Sequence, residues 1–184
     1  MRKIRVFNFL TLDGYFEGPG HDIGWHRHDA EQNEFAAQSL GLGGVLLFGR
    51  RTYELMAGYW PSPQAMQNDP TVARAMNAAE KIVFSKTLHD VEWNNTRLCQ
   101  QNIIEEMRAL KRTPGKDMTV LGSGSVVAQF AEEGLIDEYR IMVDPVLLGE
   151  GTSFCKGIRR RCDLQLTSTR TFENGSVLLC YRPC

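Results

Sequence analysis

Short apolar segments alternate along this chain with longer segments in which apolar residues recur every three or four positions. The first pattern is typical of strands buried on both faces of a sheet, and the second of helices with one apolar face. Val45–Phe48 is such a strand, and residues 103–110 form such a helix because Ile103, Met107 and Leu110 share one side. The other predicted strands are residues 4–11, 81–84, 97–99, 118–121, 138–143, 164–172 and 177–181, and the other predicted helices are residues 30–40, 51–56, 70–79 and 125–133.

The alternation of strands and helices predicts an α/β fold, with a central, mostly parallel sheet and helices on both faces. Glu173-Asn174-Gly175 is a turn sequence between the last two strands, so the chain should end in an antiparallel hairpin. No repeat or linker divides the chain, and we expect residues 1–184 to form a single domain. Residues 58–63, which are rich in glycine and proline, are predicted to be a loop, and Asp29 is predicted to cap the helix at 30–40.

Composition limits the function classes. The formal net charge is −1, so no overall positive field favours nucleic acid or a membrane surface. No apolar run approaches the roughly 18 residues of a membrane span, and the N-terminus lacks a signal-peptide pattern. The five cysteines are irregularly spaced, which does not favour a disulfide framework. We therefore expect a cytoplasmic protein that binds neither nucleic acid nor membrane.

Three polar segments directly follow predicted strands, at residues 49–52, 85–87 and 122–125. Ligands of open α/β sheets bind at the carboxyl ends of the strands. The first segment combines a glycine, two arginines and a threonine at a helix start, where backbone N–H groups attract phosphate. Each segment alone also fits an ordinary capped turn or polar loop. Together they predict a ligand with several phosphates, and Lys86 suits a phosphate such as the one that distinguishes NADP from NAD.

Six segments resemble the dihydrofolate reductase-like superfamily, in particular its bacterial branch related to the reductase domain of riboflavin biosynthesis, the RibD C-terminal domain. They are residues 11–15, 48–54, 81–86, 120–125, 135–139 and 145–151. The resemblance implies a mixed sheet of about eight strands, NADPH as cofactor, and a homodimer. It also implies reduction of a small pterin-like or pyrimidine-like heterocycle by hydride transfer. The implied cofactor-binding residues are Gly49, Arg50, Arg51, Thr52, Ser85, Lys86, Gly122, Ser123, Gly124, Ser125 and Val126.

Reduction by NADPH often needs a proton donor, and this chain offers several carboxyl groups. Asp13 is the first candidate because it follows the first strand, near the expected nicotinamide. An aspartate in an Asp-Gly pair equally fits a structural turn. The other candidate proton donors are Asp22, Glu34 and Asp144.

Large apolar side chains near these strand ends are candidates for the substrate wall, although packing explains them too. The candidates are Trp25, Met56, Trp60 and Phe154. His21, His26 and His28 fall close together but show no metal-binding spacing, so no metal site is predicted. Two other functions stay open: a nucleotide-binding module without catalysis, and a structural homodimer.

Overall fold

The computed structural model describes residues 1–26, 29–41 and 44–184. Its strands are β1 (Ile4–Thr11), β2 (Tyr15–Glu17), β3 (Val45–Gly49), β4 (Glu80–Phe84), β5 (Thr96–Cys99), β6 (Met118–Leu121), β7 (Glu138–Asp144), β8 (Thr152–Ser153), β9 (Leu164–Thr171) and β10 (Val177–Pro183). Its α-helices are α1 (Ala30–Gly41), α2 (Arg50–Tyr59), α3 (Pro63–Asn68), α4 (Pro70–Ala78), α5 (Ile103–Arg112) and α6 (Gly124–Glu132). In the described part of the chain, no helix is long and apolar enough to cross a membrane.

The centre of the molecule is an eight-stranded sheet with the order β5-β4-β3-β6-β1-β7-β10-β9. The six strands from β5 to β7 in this order are parallel, whereas β10 runs antiparallel to both β7 and β9. The α/β class, the mixed and mostly parallel sheet, and the closing antiparallel hairpin are therefore confirmed. The carboxyl ends of β3, β4, β6, β1 and β7 lie along one edge, which we call the carboxyl edge.

The sheet opens between β1 and β6 at the carboxyl edge. The last paired residues of these two strands are Phe7 and Leu121. β1 continues to Thr11 and stays paired with β7 as far as Asp144. A gap beside a strand at such an edge is where α/β sheets admit ligands.

Two layers of helices bury the two faces of the sheet. On one face, residues of α5 and α6 such as Met107 and Phe130 pack against Ile4 and Val6 of β1. On the other face, α2 and α4 pack on Leu46 of β3 and its neighbours, and Phe35 of α1 packs beside β1 and β7. The alternation of side chains along each strand supplies both apolar surfaces.

The structure differs from the prediction at residues 58–63. α2 continues to Tyr59, and α3 begins at Pro63 with Ser62 as its N-cap, whose Oγ accepts from the N–H of Ala65 at 3.2 Å. A serine followed by proline is a helix-start signal that also fits a loop, and here it starts a helix. The predicted cap of α1 is confirmed, because Oδ1 of Asp29 accepts from the N–H of Gln32 at 2.7 Å.

Candidate functional site

The N-termini of α2 and α6 meet at the carboxyl edge and are tied by a hydrogen-bonded network. Oγ of Ser123 accepts from the N–H of Gly49 at 2.8 Å and donates to Oγ1 of Thr52 at 2.9 Å. The N–H of Ser123 also donates to Oγ1 of Thr52, at 3.1 Å. Because each helix N-terminus carries partial positive charge, this network holds two such charges side by side. Such a pair is an anion-binding arrangement.

Glycine is required where the two helix starts approach each other. Gly122 has φ +59°, and a Cβ there would lie 3.1 Å from Cγ2 and 3.2 Å from Oγ1 of Thr52. At Gly49, a Cβ would lie 3.3 Å from Cγ2 of Val126. The ring of Phe16 lies against Gly124, where an added Cβ would be 3.1 Å from the ring. Glycine at these positions therefore lets the starts of α2 and α6 pack closely against their neighbours.

Polar groups with spare hydrogen-bonding capacity surround the two helix starts. Among the described residues, the N–H groups of Gly124 and Ser125 donate to no protein acceptor. The exposed Arg50 donates from Nε to Glu54 at 2.7 Å and from a terminal nitrogen to Oγ1 of Thr87 at 2.8 Å. Arg51 is also exposed. Fixed cations beside helix N-termini suit a phosphate group.

In the segment after β4, the Ser85 side chain stabilises the turn, whereas the Lys86 side chain is exposed to solvent. Ser85 is buried, and its Oγ accepts from the N–H groups of Thr87 at 3.2 Å and Leu88 at 3.0 Å, which shapes the turn. Lys86 is exposed and lines a cleft of ≈ 460 Å³. The other residues that line this cleft are Gln100, Gln101 and Asn102. Lys86 is therefore available to an anion, whereas the Ser85 hydroxyl is already engaged.

Asp13 lies at the carboxyl edge, where its carboxylate holds a turn together. It accepts from Oγ1 of Thr11 at 2.5 Å and from the N–H groups of Leu148 at 3.0 Å and Gly149 at 2.8 Å. The Thr11 hydroxyl, followed by the Gly149 N–H, lowers the pKa of Asp13 below its ordinary value. A proton donor near neutral pH needs the opposite change, so these contacts favour a structural role. The catalytic role of Asp13 stays a prediction without a test.

The four residues predicted to form a substrate wall lie on different faces of the sheet. Met56 and Trp60 pack with the α2 cluster, and Nε1 of Trp60 lies 3.1 Å from Sδ of Met56. Phe154 packs with the cluster under α5 and α6. Trp25 precedes α1, and its buried Nε1 has no hydrogen-bond partner among the described residues. Met56 and Phe154 thus belong to different clusters, and the substrate wall of Trp25, Met56, Trp60 and Phe154 stays a prediction.

A buried polar arrangement at the end of β7 was not predicted as a unit. Nδ1 of His26 is hydrogen-bonded to Oδ2 of Asp144, and Oδ1 of Asp144 accepts from Oγ of Ser176 at 2.9 Å. Spacing gives no signal for this contact, because 118 residues separate His26 from Asp144. Of the three histidines considered for metal, His28 lies outside the described residues. Within the described ranges, no group of three metal-ligating side chains occurs.

The sequence of this chain is similar to a known protein family and to a protein of Bacillus subtilis. The sequence profile of the RibD C-terminal domain matches residues 2–178. The uncharacterized protein YyaP of Bacillus subtilis is 31% identical over 98% of this chain and 94% of its own length.

Two solved structures share the fold at low sequence identity. A Thermotoga maritima diaminohydroxyphosphoribosylaminopyrimidine deaminase/5-amino-6-(5-phosphoribosylamino)uracil reductase superposes with a TM-score of 0.70 at 14% identity, covering 100% of this chain and 57% of that one. The chain thus spans little more than half of that protein. Dihydrofolate reductase from Enterococcus faecalis, complexed with NADP(H) and the compound RAB-propyl, superposes with a TM-score of 0.63 at 18% identity, covering 98% of this chain and 96% of that one. With a dihydrofolate reductase-like fold and a family profile that matches nearly its whole length, the chain belongs to the RibD C-terminal domain family.

Proposed function

We propose that this protein is an NADPH-dependent reductase that transfers a hydride to a small pterin-like or pyrimidine-like heterocycle. The observation that carries the proposal is the pair of helix N-termini at α2 and α6, joined through Thr52 and Ser123 at the carboxyl edge. Two aligned helix dipoles with arginines beside them suit the two charges of a pyrophosphate.

The residues present fit a dinucleotide with an additional phosphate. The N–H groups of Gly124 and Ser125 and the guanidinium groups of Arg50 and Arg51 would bind the pyrophosphate. Lys86, exposed in the cleft beyond β4, would bind the phosphate that distinguishes NADPH from NADH. When bound, the dihydronicotinamide would supply the hydride, and residues at the opening between β1 and β6 would hold its ring.

The comparisons support the reaction class rather than a particular substrate. One solved relative in fold is described as a reductase of a phosphoribosylaminouracil, and another as a dihydrofolate reductase complexed with NADP(H). Both substrates are nitrogen heterocycles. A pyrimidine-like or pterin-like substrate is therefore the class that we propose for this chain.

The proposal is tested by binding and turnover measured on the same sample. We expect NADPH to bind, with a change in nicotinamide fluorescence, and to be consumed with at least one compound of a panel of pyrimidines, pteridines and folates. Binding without consumption across the panel would instead support a nucleotide-binding module. Absence of NADPH binding would contradict both the reductase and the nucleotide-binding module, and a structural homodimer would be the remaining hypothesis. Light scattering on the same sample tests the homodimer that the resemblance implies.

Replacement of Lys86 by alanine should weaken NADPH binding about tenfold and leave NADH binding unchanged, because a charge-assisted contact of about 1.4 kcal/mol is lost from the extra phosphate alone. The two dissociation constants are measured by fluorescence titration at fixed ionic strength. Lys116→Ala is the matched control, since Lys116 is exposed on the loop between α5 and β6, at the opposite edge of the sheet. An unchanged ratio of the two affinities in Lys86→Ala would remove Lys86 from this role.

A further inference from the structure

His26 and Asp144 form a buried pair whose geometry is set by a third residue. The two side chains are only 7% and 5% exposed, and their contact joins Nδ1 of the imidazole to Oδ2 of the carboxylate. The second carboxylate oxygen is occupied by the hydroxyl of Ser176, which is itself 1% exposed. An imidazole that donates from Nδ1 to a carboxylate presents Nε2 as its proton-exchanging atom.

The pair lies where the proposed reaction would take place. Asp144 is the last residue of β7, and the His26 ring lies over Phe9 of β1 with 3.7 Å between ring centroids. β1 is also the strand that borders the opening next to β6. The imidazole thus lies over β1, the strand that borders the opening, on the face covered by α1, where Phe9 packs with Phe35 and its neighbours.

Stability of the fold does not by itself explain why His26 and Asp144 are buried together. Removing two ionisable groups from water is unfavourable, and buried ion pairs can often be replaced by apolar residues without loss of stability. Phe9 and its neighbours already supply an apolar environment at this point. A buried imidazole with a bound carboxylate is, however, a common way to hold a proton ready for transfer.

We propose that His26 is the proton donor of the reduction, and that Asp144 and Ser176 are positioning residues that orient its imidazole. This inference rests on the proposed reductase function. It assigns the proton step to a residue other than Asp13, whose contacts keep its carboxyl group ionised.

The step balances in atoms and electrons. The carbon of a polarised C=N or C=O bond in the substrate accepts a hydride from the dihydronicotinamide, which is thereby oxidised, and a new C–H bond forms. The π electrons of that bond move to the nitrogen or oxygen, which takes the proton from Nε2 of the His26 imidazolium. The Nε2–H bond breaks, and the neutral imidazole regains a proton from water before the next turnover.

The charged groups described on the loop before α1 and on α1 itself are engaged in contacts of their own. Asp22 and Asp29 lie on the same loop, but each accepts from a backbone N–H two or three residues further on. Glu31 of α1 pairs with Arg170 of β9 at 2.9 Å. Next to Phe9, β1 carries uncharged residues on both sides. Asp144 is the carboxylate that the His26 imidazole contacts.

The first part of the test needs no substrate. The ¹⁵N resonances of the histidine rings are followed by NMR in the full-length protein from about pH 5 to about pH 9, with and without NADP⁺, and His26 is assigned with His26→Gln. We expect the neutral ring to carry its proton on Nδ1, where it is hydrogen-bonded to Asp144. Asp144→Asn should weaken this tautomer preference, because an amide oxygen is a weaker acceptor than a carboxylate. A neutral ring that carries its proton on Nε2, or a tautomer ratio that is unchanged in Asp144→Asn, would overturn the proposal.

The second part measures turnover of NADPH with 5-amino-6-(5-phosphoribosylamino)uracil and with 7,8-dihydrofolate. His26→Gln should lower kcat about 100-fold and leave the NADPH affinity unchanged. Ser176→Ala leaves the imidazole in place but removes one contact to Asp144, so it should give a smaller loss of kcat. His89→Gln, at an exposed histidine after β4, is the control. A kcat within about threefold of wild type in His26→Gln would refute the donor role. Lack of turnover by the wild type counts against the reductase proposal, and the NMR result then decides whether His26 and Asp144 act as a coupled pair.

Discussion

Gly122→Ala is expected to weaken NADPH binding by about 100-fold and to lower the free energy of unfolding by about 2–3 kcal/mol. A left-handed backbone at φ +59° costs a non-glycine residue about 1 kcal/mol. The added methyl group would also meet the Thr52 side chain at 3.1–3.2 Å. Relief of that contact moves Thr52 away from Ser123, which breaks the network that holds the starts of α2 and α6 together.

Gly134→Ala is a close control for this variant. Gly134 has φ +61°, follows the end of α6, and has no atom within 4 Å of the position that a Cβ would take. It therefore carries the same backbone cost without the contact and without proximity to the site. Urea unfolding and NADPH titration of both variants separate the two effects. Equal losses of stability together with normal NADPH binding in Gly122→Ala would show that the close approach to Thr52 does not matter.

The location of the candidate cofactor site follows from the sequence because it depends on short-range patterns and one rule of sheet geometry. Each of the segments at 49–52, 85–87 and 122–125 directly follows a strand that the apolar pattern identifies. Parallel strands place their carboxyl ends at a common edge, so the segments come together once the sheet is parallel. The hydrogen-bond partner of each hydroxyl group cannot be predicted from the sequence in this way. The Ser123–Thr52 contact, for example, depends on how α2 and α6 are positioned relative to each other.

Arrangements that depend on loop conformation were not predictable in the same way. His26 reaches Asp144 through the segment before α1, and Ser176 reaches it from the turn that precedes β10. No period or spacing in the sequence encodes those paths. The positions of the predicted substrate-wall residues were not predictable for a related reason: the clusters that Met56 and Phe154 join depend on where α2 and the segment after β8 lie.

Lys81→Met is expected to lower the free energy of unfolding by about 2 kcal/mol at pH 7, and by more as the pH rises. Lys81 is 1% exposed, and its Nζ donates to the carbonyl groups of Met76 at 2.9 Å, Asn77 at 3.3 Å and Ala79 at 2.6 Å. Nζ also lies 4.5 Å from the ring centroid of Trp93. Without the ammonium group, the carbonyl groups at the end of α4 lose their donor in a buried place.

The pH dependence follows from the burial of Lys81, which lowers its pKa from 10.5 to about 8. Between these two values the unfolded chain holds a proton that the folded protein has released, so a rise in pH favours the folded state. The wild type should therefore gain up to about 3 kcal/mol relative to Lys81→Met across this range. Urea unfolding from about pH 7 to about pH 10 measures the difference in free energy of unfolding between the wild type and Lys81→Met. All other titrating groups are common to both proteins, so their contributions cancel in this difference. Lys116→Met, at an exposed site, should run parallel to the wild type. Parallel curves for Lys81→Met as well would show that the Lys81 ammonium group does not pay a desolvation cost in the folded protein.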